Sequence, residues 1–413
     1  MSSSTELRAR ERLALIALTG VQMSQILDFM VVMPLGPQFM RLFGITPAEF
    51  ALLVSAYMLA ASAAGVLTAL FIDRFDRRQA LIVLYACFML TTIVVATAQS
   101  YAWLLAARAT AGAFGGVLGA CVYAIVGDVI PEHRRGAALG TVMSASSIAS
   151  IAGVPLSLML AAQWTWRAPF LFLTVLCAAI LAVAVAAVPR VHAHVESARS
   201  RHPFAQVKAV FAGANHLRAL LFAGTLTFSG FVVIPFISPY MVANVGVKES
   251  ELAILYFCGG LVTLVVVRWI GRMTDLHGKR RVFAAGAVMS MAAILILTHL
   301  PPAPLWVGIL VSAFFMPTLT GRFVPAMAIV TAAVTPRLRG SFMSFNSAVQ
   351  QLAAGLASLL AGLLVGRTEA GALTGYGRAG WIAAAGAALC VALSRRVRSA
   401  ETEGRLHAAM PPT

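Results

Sequence analysis

Gly271-Arg272-Met-Thr-Asp275-Leu-His-Gly278-Lys279-Arg280-Arg281 and, far earlier in the chain, Leu70-Phe-Ile-Asp73-Arg74-Phe-Asp76-Arg77-Arg78 are two forms of one short basic loop. Each joins two long apolar stretches. A second echo links Pro131-Glu-His-Arg134-Arg135-Gly136 with Pro336-Arg-Leu-Arg339-Gly340, and both precede a stretch rich in small and polar residues. A spanning helix needs about 20 mostly apolar residues, and about twelve such stretches follow from these loops outward, at roughly 13–36, 47–72, 79–98, 102–127, 137–161, 168–189, 219–243, 251–273, 282–300, 304–333, 340–366 and 376–394. The chain of 413 residues is 60% hydrophobic and 11% charged, with mean hydropathy +0.86. Soluble proteins are roughly 45–50% apolar and about 25% charged. The expected fold is therefore all-α and membrane-integral, with about twelve transmembrane helices in two pseudo-symmetric six-helix bundles. Residues 1–12 form a tail, 13–189 the first bundle, 190–217 a polar linker, 218–394 the second bundle and 395–413 a second tail. Internal repeats of six spans mark many secondary transporters, with the substrate site near the midplane between the halves.

The net charge of +16 is not a nucleic-acid signature, because its distribution follows the spans. Of the 31 Lys and Arg, 23 fall on the side that holds both ends of the chain and the linker. Five fall on the other side: Arg41, Arg167, Lys248, Arg367 and Arg378. Arg108, Arg268 and Arg322 lie inside or near spans. This asymmetry obeys the positive-inside rule and places both termini in the cytoplasm. The five cysteines sit singly in apolar stretches and read as small buried residues, with no disulfide or metal framework. Arg8, Arg10 and Arg12 precede an apolar run that is too long, and too interrupted by Gln22, Gln25 and Asp28, for a secretory signal.

Asp28 is the one carboxylate placed deep within an apolar stretch. A charge at that depth costs on the order of 2.5–3.5 kcal/mol on insertion scales unless it is neutral, paired or wetted. It either exchanges a proton, binds a polar substrate, or braces the bundle through buried hydrogen bonds. Ser24 and Gln25 precede it by four and three residues, so the three share a polar stripe expected to face a cavity. Pro34 and Pro37 weaken the same helix beyond it. Asn346 and Gln350, spaced i, i+4 in the eleventh stretch, are candidates to line the same cavity or to act as packing glue. Three roles suit Arg322: pairing with Asp28 across the halves, binding an anionic substrate group, or lying near an interface. Arg108 lies about one turn inside the fourth stretch, where it can snorkel to the interface. Gly112, Gly115, Gly116 and Gly119 form small-xxx-small pairs suited to close helix packing. No G-x-x-x-x-G-K-(S/T) loop is present, so ion or solute gradients are the expected energy source. The spans hold no paired carboxylates, and all eight histidines fall in loops, tails or span ends, which disfavours a multi-span membrane enzyme.

With these residues in view, the chain resembles the major facilitator superfamily over roughly residues 13–394, and within it the twelve-span drug/proton antiporter branch with its sugar and nucleoside efflux permeases. Gly271, Asp275, Gly278, Lys279 and Arg280 fit the family loop G-x-x-x-D-x-x-G-(K/R)-(K/R). The first copy keeps Asp73, Arg74, Arg77 and Arg78 but has Ala69 and Asp76 where glycines are usual. Leu104, Arg108 and Gly112 fit the fourth-span motif, with Ala111 at its usually polar position. Gly153-Val-Pro155-Leu resembles the fifth-span antiporter motif, with Ser157 where glycine is common, and Trp166-Arg167-Ala-Pro-Phe170 follows it. The resemblance implies that Asp28 and Arg108 couple transport to protons and that Ser24, Gln25, Arg322, Asn346 and Gln350 surround the substrate. It implies a latch of Asp73, Arg74, Arg77, Arg78, Asp128, Arg135, Gly271, Asp275, Gly278, Lys279 and Arg280 that joins the halves in the outward-facing state. Gly153 and Pro155 would seal the contact between halves against leak. The expected activity is proton-coupled efflux of a small amphipathic drug, sugar or metabolite from a bacterial cytoplasm through the inner membrane, by a monomer, without cofactor or metal. A symporter or facilitator of the same fold is the alternative.

Overall fold

Burying backbone in lipid leaves helices as the economical way to satisfy every N–H and C=O, and the apolar stretches fold accordingly. In the computed structural model, residues 2–69, 76–189, 210–211, 213–335 and 338–400 are described. Twelve helices are long and apolar enough to cross a membrane. Spans one to six are Glu11–Val32, Pro47–Leu67, Arg77–Ala96, Tyr101–Val129, Arg134–Gln163 and Ala168–Ala187. Spans seven to twelve are Ala214–Val245, Glu249–His277, Lys279–Thr298, Leu305–Ala332, Arg339–Leu364 and Tyr376–Arg396. The departure from all-α among the described residues is a two-residue ladder, Gly366–Arg367 paired antiparallel with Leu373–Thr374, between the last two spans.

The two related basic loops turn by different means. Before span nine, Gly278 adopts φ +86°, a conformation open to glycine and costly for other residues, and so reverses the chain directly. Before span three, Asp76 has φ −59° and its carboxylate accepts from the Gln79 N–H at 2.8 Å as an N-cap. The first copy needs no glycine there because a capping side chain satisfies the helix end instead. Ser100 caps span four in the same way, accepting from the Trp103 N–H at 3.3 Å.

Four spans are broken near prolines, span ten at Arg322 between Pro317 and Pro325 and three others as follows. The first helix ends at Val32, turns through Met33-Pro34-Leu35, and resumes as the short helix Gly36–Leu42. Span seven changes at Val232 into a 3-10 turn, Ile234–Phe236, and finishes as a π-turn, Met241–Val245. Span five carries a π-turn at Ala149–Gly153, just ahead of Pro155, whose missing N–H cannot continue the regular ladder.

The halves meet on the face away from the linker and down to the middle. Gly36 lies against Phe50 and Pro239, the Phe50 and Phe236 rings cross at 5.8 Å, and Arg41 pairs with Glu249. Nearer the centre, Gly260 meets Ile151, Gly355 meets Leu59, and Ser62 donates to the Ala348 carbonyl at 2.8 Å. On the linker face the picture is different. Among the described residues, Gly65, Gly136, Gly140, Gly271 and Gly340 have nothing within 4 Å of where a side chain would begin. The contacts of Gly36, Phe50, Arg41, Gly260, Gly355 and Ser62 across the halves lie on the face away from the linker and at the middle.

Candidate functional site

At the centre of the seam, Phe29 of span one touches Tyr57 of span two and Phe231 of span seven, with ring centroids 5.3 and 6.0 Å apart. Directly beside Phe29 is Asp28, which is fully buried. Its Oδ2 accepts from Arg108 Nη1 at 2.7 Å, and the same nitrogen lies 3.4 Å from the Asp28 carbonyl. The Arg108 guanidinium also stacks over the Tyr57 ring, 4.5 Å from its centroid. Arg108 is as buried as the acid, so it does not snorkel to an interface.

Glycines make this geometry possible. A side chain at Gly112 would collide with the Tyr57 carbonyl, and one at Gly116 with the Ala61 carbonyl, so spans two and four touch backbone to backbone. Gly115 makes room for the Tyr57 hydroxyl and the Gln25 stem, and Gly119 faces the Gln22 and Gln25 amides at 3.7 Å. Tyr57 was not among the expected site residues. Its signal in the sequence is weak, one of two aromatics, with Phe50, in a span of mostly small and aliphatic residues.

Several polar atoms here have no protein partner among the described residues. They are Asp28 Oδ1, Arg108 Nε and Nη2, Gln22 Oε1 and, on span eleven, Asn346 Oδ1. Buried polar groups are normally hydrogen-bonded, so each such atom calls for water or a ligand. A charged pair with free valences on both partners can exchange a proton or receive a polar group without dismantling the bundle.

The expected polar stripe divides. Gln25 turns toward Tyr57 and Gly119, whereas Ser24 turns into the first bundle, bonded to the Val21 carbonyl at 3.0 Å and the Tyr85 hydroxyl at 2.8 Å. Gln350 accepts from Thr227 of span seven at 3.3 Å. Arg322 departs furthest from expectation. Among the described residues it pairs with no acid; it is buried in the second bundle, donating to Ser290 at 3.0 Å and Ser229 at 3.2 Å. Asp28 is already paired through Oδ2 with Arg108 from its own half, which supplies the countercharge that a cross-half pair would have given.

The latch residues divide between the halves. Arg77 pairs with Asp128 and donates to the Ala124 carbonyl at 3.3 Å, and Arg78 donates to the Val185 carbonyl at 2.6 Å, all within the first bundle. Lys279 donates to the Ala328 carbonyl at 3.3 Å, and Arg280 to the Val397 carbonyl. Asp275 is exposed and forms no ion pair among the described residues, and Arg135 Nε has no acceptor. Asp73 and Arg74 lie outside the described residues. These bonds of the latch side chains each stay within one half. Gly153 abuts span one beside the acid: a side chain there would stand 2.7 Å from Leu27 Cδ1.

Two six-span bundles packed around a buried ion pair have the architecture of a membrane carrier. The chain belongs to the Major Facilitator Superfamily, whose model matches residues 18–232 and 219–410. It is similar to the uncharacterized MFS-type transporter YbcL of Bacillus subtilis, 23% identical over 362 residues that cover 86% of this chain and 88% of that one. The chloramphenicol efflux pump Rv0191 of Mycobacterium tuberculosis is 28% identical over 254 residues, covering 60% of this chain and 59% of the relative. Among solved structures, the D-xylose-proton symporter superposes with a TM-score of 0.73 at 15% identity, covering 92% of this chain and 96% of that one. That likeness is one of fold.

Proposed function

We propose that the protein is a proton-coupled exporter of small amphipathic molecules, working by alternating access in a bacterial inner membrane. The observation that carries this is the buried Asp28–Arg108 pair, the described intramembrane acid and its cation, at 2.7 Å on the seam between the halves. Protonation of Asp28 removes the charge that holds Arg108, and the guanidinium must then turn to other acceptors, the Asp28 carbonyl and the Tyr57 ring. Loss of the proton restores the pair. Two arrangements of one guanidinium give the seam two states, and rocking of the halves about a midplane site gives each state a different face.

The linker face, with its 23 cations, is assigned to the cytoplasm by the positive-inside rule. On this reading the contacts between halves away from the linker support an inward-open state, and Asp73, Asp128 and Asp275 act in the opposite one. Export is favoured over uptake by the chloramphenicol efflux pumps and the probable sugar efflux transporter among the relatives. The substrate meets Gln25, Asp28, Asn346 and Gln350 from the cytoplasmic side, with the Phe29–Phe231 contact above them.

Proteoliposomes with an imposed pH gradient test this reading. A panel of drugs, sugars and metabolites is first screened by counterflow, and gradient-driven accumulation of any hit is then compared with Asp28→Asn. The wild type should concentrate substrate against its gradient while the variant only exchanges it. Full gradient-driven accumulation by Asp28→Asn removes Asp28 from the coupling, and movement of proton and substrate in the same direction reverses the assignment to symport.

A further inference from the structure

Arg322 takes no part in the cycle just described, yet its position is the most costly in the second bundle. Its side chain is 1% exposed, and no carboxylate pairs with it among the described residues. Arg108 is as deeply buried but is neutralised by Asp28. The two hydroxyls that receive Arg322, Ser290 and Ser229, already donate their own hydrogens to the Ala287 carbonyl at 2.8 Å and the Ala383 carbonyl at 2.9 Å. They offer the guanidinium neutral dipoles and no charge. Its Nε has no acceptor among the described residues.

Span ten is interrupted at Arg322, which ends the helix Leu305–Gly321 and caps the helix Phe323–Ala332 with no side-chain hydrogen bond of its own. The negative end of the first helix and the positive end of the second meet there, so the backbone dipoles offset and leave the guanidinium charge uncompensated. Gly230 and Gly286 bring bare backbone alongside, the first with its side-chain position 3.8 Å from Nη2 and the second 3.6 Å from Arg322 Cβ. Three spans thus converge on one uncompensated cation: Ser229 from the seventh, Ser290 from the ninth and Arg322 from the tenth.

A guanidinium keeps its proton even when buried, so it cannot relieve the cost of desolvation by becoming neutral. The remaining relief is a bound negative charge. We propose that Arg322, Ser229 and Ser290 form a binding site for a small monoanion, a halide or a carboxylate group. Arginine's planar fork suits a carboxylate, and the two hydroxyls can rotate to donate to either ligand. This site is separate from the Asp28 pair and stands whether or not Asp28 couples transport to protons.

The test uses the purified full chain in lipid nanodiscs, with its unfolding midpoint followed at constant ionic strength. Sodium chloride, bromide and acetate are each titrated against sodium gluconate, a bulkier and more strongly hydrated anion. The midpoint should rise saturably with the three small anions, and the rise should vanish in Arg322→Gln. In Ser229→Ala/Ser290→Ala, which keeps the cation, the half-saturating concentration should increase severalfold. An equal midpoint in every anion overturns the proposal, as does an undiminished rise in Arg322→Gln. Where Arg322→Gln does not fold, the serine variant decides, and an unchanged half-saturating concentration in it overturns the proposal too. Anomalous scattering from bromide within hydrogen-bond reach of the guanidinium upholds the site. Chloride competition against counterflow of an organic carboxylate shows that the anion belongs to the cargo; binding without such competition shows a resident ion.

Discussion

Asp28 and Arg108 stand 80 residues apart in the chain and 2.7 Å apart in the folded protein, each sealed from solvent. Neither could be buried alone. Removing one partner of a buried pair leaves an uncompensated charge and costs about 3–5 kcal/mol, whereas replacing both can be nearly neutral. The expectation is therefore a strongly non-additive cycle. Asp28→Asn and Arg108→Gln should each lower the thermal midpoint in nanodiscs, and the double variant should recover most of the loss. Additive losses would show that the pair does not hold the seam.

The same seam separates two kinds of glycine. Gly112 and Gly116 press on the backbone of span two, so a methyl group there forces two helices apart. Overpacking of this kind costs about 1–3 kcal/mol. Gly112→Ala should thus reduce folded yield and midpoint. Gly140→Ala, with nothing within 4 Å, should leave the midpoint within about 0.5 kcal/mol of wild type. Equal stability of the two variants would contradict the close contact of spans two and four.

Most of the fold was readable because hydropathy and charge asymmetry are summed over twenty residues at a time, which makes span number and repeat insensitive to detail. Asp28 was readable for the opposite reason, since a single acid in an apolar run is conspicuous. Arg108 needed the resemblance to a known motif, because one turn of depth separates a snorkelling arginine from a buried one. The fates of Ser24 and Arg322 were not readable. Serine hydroxyls occur in most spans, and which of them meets Tyr85 or Arg322 depends on helix rotation, which a pattern of small residues leaves open. The contrast between Asp76 and Gly278 was hidden likewise, because a cap and a left-handed turn reverse the chain equally well.

That contrast makes a prediction of its own. Asp76 replaces a glycine usual in the family loop, and its carboxylate holds the Gln79 N–H. Asp76→Ala should cost about 0.5–2 kcal/mol through the lost cap, whereas Asp76→Gly should cost only a few tenths. Thermal midpoints of the two variants check the order. A glycine variant as unstable as the alanine would mean that the carboxylate serves something other than the helix end.

Arg41 and Glu249 join the halves on the face away from the linker, through two hydrogen bonds between one guanidinium and one carboxylate. The bond to Glu249 holds the arginine's proton more firmly than usual, pushing its pKa above the ordinary range. Because the Arg41 side chain is 62% exposed, the pair contributes little to stability, about 0.2–1 kcal/mol. That is nonetheless enough to shift an equilibrium between open and closed states roughly 1.4- to 5-fold. Glu249→Gln should accordingly speed amide exchange at residues 36–42 and 233–240, where Gly36, Pro239 and Phe236 close the seam. High salt should bring the wild type toward the variant, since exposed pairs are screened. Reversing the pair as Arg41→Glu/Glu249→Arg should restore slow exchange. If Glu249→Gln exchanges at the wild-type rate at low salt, the aromatic and glycine contacts alone keep this face shut.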